Sequence, residues 1–139
     1  MNKVLKFTTT CLCFVLVLFS LTSCGLDQVE TNAKAYMKAN PDNYTKYNVS
    51  GLGFSYKSDN VSYDFTTDKG TYTSNNYEFK FTSSYNYETD DMSFNITKIV
   101  RGEEGFGLTA AESVCKIEVA AVYVTIELAS SLYENSKSE

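Results

Sequence analysis

The chain has 139 residues, 12 basic against 17 acidic, with eleven Tyr, nine Phe, four Cys, one Pro, no Trp and no His. That length holds one small domain and not two. The lack of His excludes Ser-His-Asp and Cys-His catalysis and every His-bearing zinc site.

Residues 1–10 carry Lys3 and Lys6 and no acid, and residues 11–19 (CLCFVLVLF) are apolar. A basic start, a short apolar centre and small residues before a cut are the parts of a secretory signal. The apolar run is too short to span a bilayer, which takes about 20 residues. Leu21-Thr22-Ser23-Cys24 follows at once. An aliphatic residue, two small residues and Cys at this place resemble the lipobox of bacterial lipoproteins. The resemblance implies cleavage between Ser23 and Cys24, and a diacylglyceryl group on the Cys24 sulfur. It also implies a further acyl chain, such as palmitate, on the new amine. The acceptor is a thiol because the thiolate is the nucleophile. Two or three chains hold firmly where one is marginal, since each buried CH₂ contributes about 0.8 kcal/mol.

The expected organisation is a cleaved signal peptide over 1–23 and a single domain over 24–139. Cys24 would anchor that domain to the cell membrane or outer membrane, facing the extracytoplasmic side. Gly25, in place of Asp, resembles lipoproteins sent to the outer membrane of double-membrane bacteria. Plain secretion is the alternative, in which Cys24 pairs with Cys115 in an oxidising compartment. With Cys24 acylated, Cys115 is a single thiol in an apolar stretch. Loss of Lys3 and Lys6 with the leader leaves 10 basic against 17 acidic residues. Such a domain repels nucleic-acid phosphates and anionic headgroups, so no nucleic-acid partner is expected.

Leu26 to Ala39 has helical spacing, with Leu26, Val29, Ala33, Tyr36 and Met37 on one stripe. Asp27 and Glu30 near its start and Lys34 and Lys38 near its end suit the helix dipole, and Asn40-Pro41 stops it. From Tyr44 to about Val100 the period changes to two. Residues 52–57, 61–66, 77–81 and 92–96 alternate apolar with polar, and Tyr85 and Tyr87 keep the parity of Phe79 and Phe81. This is the pattern of half-buried antiparallel strands. Ser58-Asp59-Asn60, Asp68-Lys69-Gly70, Ser74-Asn75-Asn76 and Thr89-Asp90-Asp91 supply the turns, with Gly70 expected at a positive φ. A piece over 71–74 is ambiguous, and its Tyr72 fits either side.

Arg101–Gly107 is expected to be a flexible connection. Thr109-Ala110-Ala111-Glu112 is a capping box opening a helix to about Tyr133. Ala110, Val114, Ile117, Ala121, Val124, Leu128 and Leu132 form one apolar stripe on it. Val119, Val122, Ile126, Ala129 and Tyr133 form a second, which needs another surface to cover it, either the first helix or another subunit. Val122–Leu128 also alternates like a strand, but cap, length and absence of Gly or Pro favour helix. Asn135–Glu139 reads as a frayed tail. The fold class is therefore α+β: an N-terminal helix, an antiparallel meander of four to five strands, and a long C-terminal helix packed on one sheet face.

The remaining motifs lose to plainer explanations. Ser113-Val-Cys-Lys116 and Ser58-Asp59-Asn60 match two β-lactamase elements, but in the wrong order and without a third. Gly102-Glu-Glu-Gly105-Phe-Gly107 lacks the Lys of a phosphate loop, and its glutamates repel anions. Asp59, Asp64, Asp68, Glu88, Asp90 and Asp91 suit turns better than a calcium site. No carboxylate pair has a separation fixed for glycoside hydrolysis. The sequons at Asn43, Asn48, Asn60 and Asn95 carry no weight beside a bacterial export signal. No catalytic residue, cofactor or metal is expected. The leading expectation is a non-enzymatic envelope lipoprotein that binds another envelope protein, through its open sheet face or its second helix stripe. The alternative is a module for a small molecule or glycan, using acidic turns and Tyr72, Tyr85 and Tyr87 as a stacking platform on the open face.

Overall fold

The computed structural model describes residues 26–137; Ser23, Cys24 and the leader lie outside the described residues. Asp27 caps the first helix, α1 (Gln28–Ala39), its Oδ1 accepting from the Glu30 N–H at 2.9 Å. That cap is why the helix starts two residues after Leu26. Asn40 ends it, and Pro41–Asn43 make a single 3-10 turn.

Six strands follow: β1 (Tyr47–Ser50), β2 (Gly53–Lys57), β3 (Val61–Asp64), β4 (Lys69–Thr73), β5 (Glu78–Asn86) and β6 (Asp91–Arg101). They form one antiparallel sheet in chain order, the meander that period two implied. The count is six, not four or five. The ambiguous piece is β4, and the added strand is β1, whose four residues are too few to display a period. Gly51, at φ +50°, turns β1 into β2 and leaves Tyr47 and Val49 facing inward.

The hairpins β3–β4 and β5–β6 share one turn device. Each closes on an Asp in the left-handed region, Asp68 at φ +61° and Asp90 at +62°. Their N–H groups reach back four residues, to the Asp64 and Asn86 carbonyls. Asp tolerates this conformation because its short polar side chain bonds locally. The expectation that Gly70 supplies the positive φ was wrong. Gly70 lies within β4 for a different reason. It is flanked by Tyr63 and Phe81, which pair with it from β3 and β5. Those two rings lie parallel, 6.0 Å apart at 4°. A Cβ at Gly70 would fall 2.4 Å from the Phe81 ring and 2.8 Å from the Ser62 carbonyl.

One sheet face is aromatic and buried: Phe54, Tyr56, Val61, Tyr63, Tyr72, Phe79 and Phe81. Strand alternation places Ser55, Ser62, Asp64, Thr71, Lys80 and Thr82 on the other face. The long helix α2 (Phe106–Lys137) packs on the aromatic face beside α1. It begins earlier than the capping box implied. Thr109 already lies inside it, donating from N–H and Oγ1 to the Gly105 carbonyl. The connection before it is held rather than loose, because Gly102 and Gly107 sit against the Tyr77 ring, and Gly102 (φ +105°) needs its freedom to do so. Val122–Leu128 is helical, and the helix runs past Tyr133 to Lys137, so residues 135–137 of the expected frayed tail belong to it.

The second stripe of α2 meets α1, one of the two covers expected for it, but it also takes the sheet-facing place that the first stripe was expected to fill. Val119, Val122, Ile126 and Ala129 face the sheet and α1, joined by Leu108, Ala111, Cys115 and Tyr123. The Ala110–Leu128 stripe faces away. Two features select the inward face. Tyr123 meets the sheet's hydroxyls, its OH 2.7 Å from Tyr63 OH and 3.1 Å from Ser83 Oγ. Ala129 and Ser130, buried like Ala33 of α1, are small enough for close helix approach.

Gly70→Ala should destabilise the domain by about 1–3 kcal/mol, the usual cost of overpacking, because the Ser62 carbonyl cannot swing aside. Urea unfolding followed by circular dichroism measures this; wild-type stability would contradict the ring-over-glycine packing.

Candidate functional site

The outward stripe of α2 is the largest departure from an ordinary globular surface. Val114, Ile117, Val124 and Leu128 are 53%, 70%, 57% and 58% exposed, with exposed Ala121 between them and exposed Ala110 one turn before. Phe106, 89% exposed at the helix start, extends the patch. At 100° per residue these side chains lie within about 40° of one line, and the buried face is centred on roughly the opposite side of the helix. A helix apolar on two opposite faces belongs between two surfaces, and here the sheet supplies one. Single exposed apolar residues are ordinary; a row of them along one helix is a candidate interaction surface. Among the described residues, no helix is long and apolar enough to cross a membrane.

A second feature lies at the end of the sheet where β5 turns into β6. Tyr85 and Tyr87 share the parity of Phe81, so they project to the helix side. Tyr85 stacks on Tyr123 at 4.8 Å and meets Tyr87 edge-on at 4.9 Å. Tyr72, the third residue of the anticipated platform, is buried and stacked on Phe79 at 5.0 Å. None of the three stands on the open face. Tyr85 and Tyr87 instead border a shallow groove of about 590 Å³, with Asp27, Val29, Glu88, Asp91 and Met92. The open sheet face holds a depression of about 710 Å³ lined by Ser, Thr, Lys69, Lys80 and Asp64, where the buried rings of Tyr63 and Phe81 border Gly70.

Behind the tyrosine groove sits Glu30, only 7% exposed, its Oε2 accepting from Tyr87 OH at 2.7 Å. Burial drives its pKa up to about 7; the Tyr87 hydrogen bond works against that, and the nearby Asp27 and Asp68 add to it. Asp68 is also raised, first by burial, with the Tyr63 hydrogen bond opposing. Tyr63 OH donates to the Ser83 carbonyl at 2.6 Å, and Ser83 Oγ donates to the Ser93 carbonyl at 2.8 Å. Among the described residues no buried side-chain polar atom lacks a partner. The cluster is thus a satisfied network that fixes α1 and α2 over β3 and β5.

The other residues singled out in the sequence have structural employment. Ser58 and Tyr56 both donate to Glu118, and Asn60 donates to the Thr73 carbonyl, so Ser58-Asp59-Asn60 ties a hairpin to α2. Ser113 and Lys116 are exposed on α2. Cys115 is buried, and burial, then the charges of Glu118 and Glu112, push its thiol up to about 12, far from the reactive range. Among the described residues no three Cys, Asp or Glu side chains are placed to hold a metal ion. No family model, curated protein or solved structure matches this chain.

Two residues central to this geometry escaped the sequence reading. In the sequence pattern Glu30 reads as a helix-start acid and a support for Lys34, and Tyr123 belongs to neither stripe. The available signal for Glu30 was its place beside Val29 and Ala33 on the face of α1 that meets the core.

Glu30 gives a signed pH dependence. Below its ordinary value of 4.5 the carboxyl is protonated in folded and unfolded chains alike. Between there and about 7 the folded chain keeps a proton that the unfolded chain releases, so stability falls as pH rises through that window. Glu30→Gln, which keeps an acceptor for Tyr87, should flatten most of the fall, leaving the part due to Asp68. Near neutral pH and above, it should be the more stable protein by up to about 3 kcal/mol. Denaturant midpoints measured across that range test this; identical slopes for both proteins would refute it.

Proposed function

We propose that this chain is a lipid-anchored lipoprotein of the cell envelope, held to its membrane by acyl chains on Cys24 and facing the extracytoplasmic side. Its domain is a non-enzymatic module that binds another envelope protein through the outward stripe of α2. The observation that carries the binding role is that row of Val114, Ile117, Val124 and Leu128 on a helix whose opposite face is already covered. The anchor is supported by Leu21-Thr22-Ser23-Cys24 placed directly after the apolar run.

A second reading has its own observation. The groove beside Tyr85 and Tyr87, rimmed by Asp27, Glu88 and Asp91, offers ring faces and carboxylates to a small polar ligand or glycan. It is open and shallow, whereas ligand sites bury most of what they hold, so it ranks below the helix stripe.

Cys24→Ser in the full chain should leave the leader uncut and remove the acyl mass, both read by mass spectrometry of the membrane fraction. A photo-crosslinking residue at Val124 should give protein adducts in cells, and one at Thr82 on the open sheet face should not. Adducts to lipid alone at position 124 would defeat the protein-binding role.

A further inference from the structure

Strand alternation makes the open sheet face polar, but it does not dictate where charge falls on that face. The strand register does. Lys57 pairs with Ser62, Ser62 with Thr71, Thr71 with Lys80 and Lys80 with Lys98, so these five residues form one row across β2 to β6. Directly paired residues share a face, and Lys80 lies between the buried Phe79 and Phe81, so the row lies on the face away from the helices. With strands about 4.8 Å apart, the row is about 19 Å long. It holds three lysines and two hydroxyls, with no acid among them. The next row, Ser55, Asp64, Lys69, Thr82 and Asn95, sets Asp64 opposite Lys69, so its charges offset. Asp64 already accepts from the Thr66 N–H at 2.8 Å and the Thr66 hydroxyl at 2.6 Å. Glu78, two residues before Lys80, pairs with Arg101 at 3.8 Å.

Lys80 and Lys98, both exposed, stand directly opposite each other, an arrangement that destabilises a sheet. Among the described residues neither ammonium has an ion pair or hydrogen bond, and the side chains of Lys57, Ser62 and Thr71 have none either. A pairing rule broken with no compensation inside the fold points to a group from outside that supplies it. We propose that this row binds an anionic polysaccharide, its acidic groups lying between the lysines and its hydroxyls bonding Ser62 and Thr71. The depression of about 710 Å³ takes in Ser62, Thr71 and Lys80 and gives the polymer a bed. A bilayer surface calls for apolar side chains to insert, and single-stranded nucleic acid for rings to stack on; the two rows contain neither. The net negative charge of the domain governs its distant field, whereas the lysines set the field at contact. This site is separate from the helix stripe and from the anchor, and depends on neither.

The test uses the purified full chain in neutral detergent with fluorescently labelled polygalacturonate and dextran sulfate, followed by anisotropy. Both polymers should bind, more weakly as salt rises, and neutral dextran should not. Lys80→Gln with Lys98→Gln should weaken binding about tenfold, the worth of two exposed charge contacts. Lys38→Gln with Lys116→Gln, an equal change of net charge away from this face, should leave it unchanged. With the opposed charges gone, the Lys80 and Lys98 double variant should melt no lower than the parent. A lower melting point would make the two lysines structural and overturn the site. Poly-glutamate, a polyanion without sugar hydroxyls, should bind the parent less tightly than polygalacturonate, and Ser62→Ala with Thr71→Val should remove that preference. Failure of both polysaccharides to bind, or equal losses in the two lysine pairs, overturns the site. Poly-glutamate held as tightly as polygalacturonate overturns the polysaccharide and leaves an acidic peptide as the occupant. Phosphatidylglycerol vesicles bound in preference to either polysaccharide overturn it in favour of a lipid surface.

Discussion

A hydrogen bond between two tyrosines, Tyr63 of β3 and Tyr123 of α2, decides how the domain is assembled. The long helix is apolar on two opposite faces, so hydrophobic burial by itself has little preference for which side meets the sheet. The polar tips of the aromatic core break that tie. Tyr63 stands among Phe65, Phe81 and Tyr123, and its hydroxyl must find partners once water is gone. It finds the Ser83 carbonyl and the Tyr123 hydroxyl, and only the inward face of α2 carries Tyr123. Were the helix turned half a revolution, Ala121 and Thr125 would stand where Tyr123 does, and the Tyr63 hydroxyl would lose its Tyr123 partner.

From that contact the remaining arrangement follows. With Tyr123 inward, Cys115, Val119 and Ile126 complete the core, and Ala129 and Ser130 offer α1 a shallow surface to approach. Asn32 of α1 then reaches Glu134, and Glu30 is brought under Tyr87, where it is cut off from solvent. The perturbed acid is therefore a by-product of how the helices dock. Its desolvation is compensated only in part by one phenolic hydrogen bond, which is why its proton is retained to near-neutral pH.

The same constraint leaves Val114, Ile117, Val124 and Leu128 in water. A chain that exposes this row gives up a few kcal/mol of burial that a second surface recovers. The exposed row follows from a shortage of sheet: six strands cover one side of a helix that has two apolar sides. The tyrosine groove and the polar sheet face are, by contrast, ordinary consequences of closing hairpins and of strand alternation.

The sequence by itself determined the elements, because periodicity is local. Residues at spacing two made strands between turn-forming Asp, Asn and Gly, and residues at spacing three and four made helices. The expected export signal is likewise a linear pattern, legible without any fold. What period could not convey was which of two equivalent stripes turns inward, because each has the same spacing and similar apolarity. Nor could it reveal β1, too short to show alternation, or the purpose of Gly70, which is set by rings that arrive from neighbouring strands. Those matters were decided by the tertiary structure, through buried hydroxyls that need partners and aromatic rings that need room. Both are demands made by residues distant in the chain.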